Sequence, residues 1–172
     1  TPESWLEVGC GGGQFLHRLA QTYPECAVHG IDLSSPAIIF AKEHWSHPNL
    51  TFSLQNQKTL DFPDNHFDIV SATLVCHHMT DDELHTFLNQ ATRIAKKGVL
   101  LNDLHRHSLA SLLFAVTAPL LFHNRLITHD GLLSIRRAFT KADWLHLLKP
   151  FSKARLSWYF PFRWIVWIPT ED

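Results

Sequence analysis

At 172 residues the chain has room for one domain built around one sizeable core. Its 15 basic and 16 acidic side chains leave a net charge of −1, which argues against a surface that coats RNA or DNA. Cys10, Cys26 and Cys76 are odd in number, widely spaced and free of any Cys-x-x-Cys, so no disulfide framework or zinc site is expected, and reduced thiols in a cytoplasmic protein are.

The first element is a short apolar run, Trp5, Leu6 and Val8, broken by Glu7 and leading into glycines at 9, 11, 12 and 13. Glycine lets the backbone take positive φ and come close to a ligand. Phe15, Leu16, Leu19, Ala20 and Tyr23 then fall on one helical face over Gln14 to Tyr23. Strand, glycine turn and helix together open a nucleotide-binding α/β unit. Ala27 to Asp32 reads as a buried parallel strand. Asp32 ends it, about 20 residues past the glycine loop, where such folds place a ribose-binding carboxylate. Ser34, Ser35 and Pro36 open a helix that runs to about Trp45, so Asp32 is not needed as its cap.

Leu50, Phe52 and Leu54 alternate in a third strand, and the turn Pro63-Asp64-Asn65 leads into a fourth, Phe67 to Thr73. Thr80 and Glu83 form a capping box for a helix with Leu84, Phe87, Leu88, Ala91, Ile94 and Ala95 on one face. Lys96, Lys97 and Gly98 are expected to close that helix, before a fifth strand over Val99 to Leu104. The apolar stretch Leu109 to Phe122 is shorter than the roughly 20 residues a bilayer span needs. Thr140 and Asp143 cap a helix through Leu148, and Arg155 to Phe160 with Phe162 to Ile168 predict a closing antiparallel hairpin.

Glycine spacing discriminates between ligands. The dinucleotide pattern Gly-x-Gly-x-x-Gly fails from Gly9, where its third position is Gln14, and from Gly11, where it is Leu16. The segment instead reads Glu7-x-Gly9-x-Gly11-x-Gly13, which resembles motif I of the class I S-adenosylmethionine-dependent methyltransferases. Leu60-Asp61-Phe62-Pro63-Asp64-Asn65-His66-Phe67-Asp68 is similar to that family's L-x-F-P-D-x-x-F-D passage and lies at the right distance from the first match. The resemblance implies an α/β, Rossmann-like, doubly wound seven-stranded sheet, mostly parallel with an antiparallel C-terminal hairpin. It implies a single domain over 1–172 with a substrate lid over 104–139. Family members usually carry one or two helices before the first strand, so N-terminal cap helices are expected to be missing here.

For S-adenosylmethionine the resemblance implies Glu7, Gly9, Cys10, Gly11 and Gly13 in the cradle, and Asp32 with Leu33 at the ribose. It further implies Asn56 and Gln57 at the adenine and Thr73 at the end of the fourth strand. Asn56 stands where the family has an acidic residue; its carbonyl can still accept from the adenine amino group, but a neutral acceptor is weaker. Cys10 within the loop reads as a small residue rather than a catalytic thiol.

Methyl transfer is an in-line displacement on an electrophile already activated by charge, so the protein supplies alignment, desolvation and, for a phenol, removal of a proton. Histidine titrates in the right range. His77, His78, His105 and His107 fall at the expected crevice, with His129 reaching it from the lid, and each has a packing role as its alternative. His78 and His105 are the candidate catalytic residues. Asn102-Asp103 is similar to a metal-binding pair of catechol-type enzymes, but Ser71-Ala72-Thr73 lacks the acidic partner, so no metal is expected.

The chain lacks the [N/D]-P-P-[Y/F] motif of enzymes that methylate adenine or glutamine amino groups. It resembles most the small-molecule branch with the ubiquinone- and menaquinone-type, or type 11-like, methyltransferases. A small hydrophobic or aromatic acceptor follows, methylated on oxygen or carbon, with no nucleic-acid partner and transient contact with a membrane surface open. The alternatives are a catalytically silent scaffold of the same fold, a nicotinamide oxidoreductase and a macromolecular methyltransferase.

Overall fold

The computed structural model describes residues 1–55, 57–121 and 125–170. Seven strands form one sheet in the order β3-β2-β1-β4-β5-β7-β6. These are β1 (Ser4–Val8), β2 (Ala27–Asp32), β3 (Leu50–Leu54), β4 (Phe67–Thr73), β5 (Ala95–Leu104), β6 (Arg155–Tyr159) and β7 (Arg163–Pro169). The first five run parallel, and β7 lies antiparallel to both β5 and β6. The doubly wound sheet with its C-terminal hairpin is therefore the one the sequence implies.

Each face of the sheet buries a separate cluster. Helices α1 (Gln14–Thr22) and α2 (Ser35–His44) bring Leu16, Ala20, Ile38 and Ala41 onto Trp5, Val28 and Phe52. On the other face α3 (Asp81–Ile94) lays Leu84, Phe87, Leu88 and Ala91 over Leu6, Val70, Val99 and Leu101. α3 begins as expected, with Thr80 accepting from Glu83 N and Glu83 accepting from Thr80 N. Such a cap stabilises a helix by about 1 kcal/mol.

One expectation is corrected. The stretch Lys96-Lys97-Gly98 does not close α3; the strand starts at Ala95, which pairs with Phe67. Gly98 is buried in β5 beneath Trp167, so its glycine serves close packing rather than a helix end. The apolar stretch that begins at Leu109 forms α4 (Ser108–Leu121), which packs against the next helix, α5 (Arg125–Arg137). α4 carries Pro119 within it and buries only Ala110 and Ala118, while Leu120 is 77% exposed. α6 (Lys141–Leu147) then buries Trp144 and Leu147 against the α3 face.

From β1 the chain winds outward through β2 and β3 on one side and through β4 and β5 on the other. Strand order thus reverses between β1 and β4, and open α/β sheets bind ligands beyond the strand ends at such a point. A single 3-10 turn, Cys76–His78, follows β4 at that place, and α5 packs on it.

Candidate active site

The glycine loop takes its shape from β2. Gly9 N and Cys10 N both donate to Ile31 O, at 2.8 and 3.0 Å. Gly9 and Gly11 adopt φ of 71° and 52°, in the left-handed region that favours glycine. Their surroundings differ. A Cβ on Gly9 would fall 2.4 Å from Val75 Cγ2, whereas a Cβ on Gly11 would meet nothing within 4 Å. Packing therefore requires glycine at position 9, whereas at position 11 the space beside the backbone is open.

Asp32 locks this loop to the start of α2. Its Oδ2 accepts from Gly11 N at 2.8 Å and its Oδ1 from Ser34 N at 2.8 Å. Each carboxylate oxygen keeps a further lone pair, enough to accept from two vicinal hydroxyls. Beside them lies a cavity of about 390 Å³. Val8, Gly9, Asp32, Leu33, Gln55 and Lys58 line one part of it, and Leu74, Val75, His78, Met79, Glu83 and Phe87 the rest.

Four of the sequence candidates meet here: Gly9, Asp32, Leu33 and His78. Gly11 adjoins them through its bond to Asp32. The others lie elsewhere. Gly13 starts α1, and a Cβ there would collide with Phe52 at 2.6 Å. Cys10 turns its sulfur toward Gly30, and burial first, then Asp32 and Glu7, push its thiol up to about 12. A thiol held so high stays protonated at neutral pH. Glu7 is 2% exposed and sits within the sheet, accepting from Ser71 Oγ and from Thr73, so neither Glu7 nor Thr73 lines the cavity. Gln57 is exposed and outside the lining, and Asn56 lies outside the described residues.

His105 is not at the cavity. Following β5, it is drawn toward the hairpin, where its backbone N donates to Phe162 O at 2.9 Å and Trp158 Nε1 donates to its Nδ1 at 3.1 Å. Burial and then neighbouring His107 lower its basicity. Among the described residues no group of three histidine, cysteine or acidic side chains could hold a metal ion.

Sequence reading missed Gln55, Lys58 and Glu83. Gln55 N donates to Asp32 O at 2.8 Å, which extends the β2–β3 pairing one residue past the strands. Glu83 was legible only as a cap. Its second oxygen pairs with Lys58 Nζ, tying the loop after β3 to α3 across the cavity rim, and that ammonium first of all holds its carboxyl down to about 2.

His78 lies on an otherwise mostly apolar wall. Burial, then the adjacent His77, lower it from its ordinary value, while Asp103 works in the opposite sense. A lowered imidazole is neutral at pH 7 and able to accept a proton.

The glycine turn, the carboxylate at the second strand end and the cavity that Gly9 and Asp32 both line sit on a doubly wound α/β sheet of the methyltransferase type. The chain belongs to the methyltransferase domain family, which it matches over residues 6–98. It is 34% identical over 60% of its length to an uncharacterized methyltransferase of Synechocystis sp., covering 48% of that protein. It is 26% identical over 66% of its length to a ubiquinone biosynthesis O-methyltransferase of Glaesserella parasuis, covering 50% of it. The chain thus spans about half the length of these curated relatives. Its fold is also that of the plantazolicin methyltransferase BpumL, solved with a triazolic desmethylPZN analog and SAH, at 17% identity and a TM-score of 0.78. That match covers 100% of this chain and 78% of BpumL.

The family's cofactor is S-adenosylmethionine, and the residues present fit it. Gly11 has open space beside it, Asp32 keeps lone pairs able to accept from hydroxyls, and Leu33 and Gln55 line the same cavity as Asp32, so these residues could hold the cofactor. No helix among the described residues is long and apolar enough to cross a membrane.

Proposed function

We propose that this chain transfers the methyl group of S-adenosylmethionine to an oxygen or carbon of a small hydrophobic acceptor of phenolic, quinone-precursor or polyketide-like chemistry. The observation that carries this reading is the cavity itself. It joins Asp32 and Gly9 to a wall of Leu74, Val75, Met79 and Phe87 that bears one imidazole, His78. Such a wall favours a flat or aliphatic molecule and leaves few hydrogen-bonding groups for a polar one.

When bound, the cofactor supplies a methyl carbon made electrophilic by the sulfonium charge. The chain's own part is to hold and to dry. Asp32 grips the ribose hydroxyls, with Gly9 and Gly11 letting the backbone close on the amino-acid end. Gln55, on the cavity lining, supplies an acceptor and donors toward the adenine edge. Glu7 and Thr73 support the loop from within the sheet. The apolar wall excludes water, and His78 takes the proton of a hydroxyl acceptor.

The helices over 104–139 act as the lid, and their apolar surface suits transient contact with a membrane from which a lipid-like acceptor is drawn. The kinship with ubiquinone-type enzymes and the organic ligands of BpumL support an acceptor of this kind. A silent scaffold is not favoured, because the cavity that joins the cofactor residues to His78 is intact.

Full-length protein incubated with methyl-labelled cofactor and a panel of hydroxylated aromatics should label one of them, and His78→Gln should reduce the rate at least about 100-fold. Asp32→Ala should weaken SAH binding by about 10- to 100-fold in calorimetry, the loss of hydrogen bonds to a charged acceptor. Label found only in protein or RNA would overturn the small-molecule reading.

A further inference from the structure

We propose that Asp103 and His77 form a buried positioning pair that holds His78 in the cavity, with Asp103 favouring the proton that His78 receives. The proposal rests on the methyl-transfer reading above.

Near the end of β5, with the partly buried guanidinium of Arg163 on β7 feeling its charge, Asp103 is completely buried. Its Oδ1 accepts from His77 Nδ1 at 2.7 Å and from Leu104 N at 2.7 Å, and its Oδ2 from His77 N at 3.2 Å. A carboxylate can only accept, so the proton of a neutral His77 sits on Nδ1. Burying a charged group is costly unless it is well paired, and removing either partner of such a pair is strongly destabilising. A pair of this sort is an expensive way to anchor a 3-10 turn that backbone bonds already close, from His78 N to Val75 O and from Met79 N to Cys76 O.

What the pair does is visible one ring further on. The His77 ring lies 4.1 Å from that of His78, tilted by 41°. His77 is buried, whereas His78 lines the cavity. The groups that bear on His78 are Asp103 from β5, His77 from the same turn and Arg137 from α5. Burial, His77 and Arg137 all disfavour a charge on His78; Asp103 alone of these favours it. Asp103 is thus placed to stabilise the imidazolium that forms when an acceptor hydroxyl gives up its proton. In that step the O–H bond breaks, its proton goes to a ring nitrogen of His78, and the oxygen forms the new bond to the methyl carbon. The electron pair of the broken carbon–sulfur bond stays on sulfur.

The test is a histidine NMR titration of the full chain, with circular dichroism and SAH calorimetry on the same samples. In Asp103→Asn the His78 midpoint should fall by about 0.5 pH unit or more. In His77→Asn, whose amide can still donate to Asp103, it should rise. A pair that served only to anchor the turn would let His78 drift up toward its solution value in both variants. A His78 midpoint that is unmoved or raised in folded Asp103→Asn overturns the proposal. If Asp103→Asn does not fold, an unmoved or lowered midpoint in His77→Asn does the same. With an acceptor from the panel, loss of transfer in His77→Asn but not in His78→Gln would make His77 itself the base and overturn the positioning role. Failure of the wild-type chain to bind SAH would sink the methyl-transfer reading while leaving these midpoints readable.

Discussion

Burial pushes the Glu7 carboxyl up to about 7 from its ordinary 4.5, and the hydrogen bonds from Ser71 and Thr73 only partly oppose it. The linkage to stability follows from that direction. Between about 4.5 and 7 the folded chain holds a proton on Glu7 that the unfolded chain has lost, so stability falls as pH rises through this window. The total is about 3 kcal/mol. Glu7→Gln keeps an acceptor for Ser71 and removes the titration. Its stability relative to wild type, measured by urea unfolding of the cofactor-free protein, should therefore gain about that amount from pH 4.5 to 7 and then level off. Parallel pH profiles for the two proteins would show that the carboxyl is better solvated than its position implies. The motif marked Glu7 as important, but alternation along β1 placed it inside the sheet, facing Ser71 on β4. A residue that lines a cavity and one packed within the sheet behind it look alike in a sequence.

Glycines separate two kinds of demand at the level of elements. Gly98 lies in β5 where an added Cβ would come 2.5 Å from the Trp167 ring and 2.7 Å from Ile168 O, so neither side can yield freely. Gly98→Ala should cost about 1–3 kcal/mol of overpacking and leave SAH affinity per folded molecule unchanged. Gly11→Ala is the opposite case. Its methyl group would meet no protein atom within 4 Å, the φ of 52° should cost about 1–2 kcal/mol, and under the proposed function the group would stand beside the amino-acid end of S-adenosylmethionine. Paired thermal melts and calorimetry should show Gly98→Ala losing mainly stability and Gly11→Ala losing mainly affinity; the same ratio for both would mean the open side of Gly11 is not the cofactor side. The contrast also explains one misread boundary. Lys96-Lys97-Gly98 has the composition of a helix end, but Lys97 is drawn into the sheet by Asp68 at 2.7 Å and Gly98 by the need to fit Trp167. Both causes lie far off in the sequence.

For the molecule as a whole, the legible part of the fold is the part where local pattern and tertiary burial agree. β2 and β4 are apolar because both their faces are covered, and α3 is amphipathic because only one of its faces is. α4 breaks that rule. It is apolar nearly all round, which ordinarily marks a helix enclosed by protein, yet Leu112, Val116 and Leu120 are exposed. Sequence pattern could not choose between core helix and lid for this reason. The same observation fixes how the structure should open. With only Ala110 and Ala118 buried, α4 contributes little to either core cluster, whereas β1, β4 and β5 lie between both. Elements with few buried apolar contacts open at low free energy, and those central to the sheet open only with the whole domain. Amide hydrogen exchange should therefore release α4 well before β4 and β5, by several orders of magnitude in protection. SAH should further protect the loop around Gly9 and Gly11 while leaving α4 unchanged, because Asp32, not α4, ties that loop. Exchange of α4 in step with β4 would mean that the helix pair and the sheet form one cooperative unit, and that the apolar surface of α4 is covered in solution.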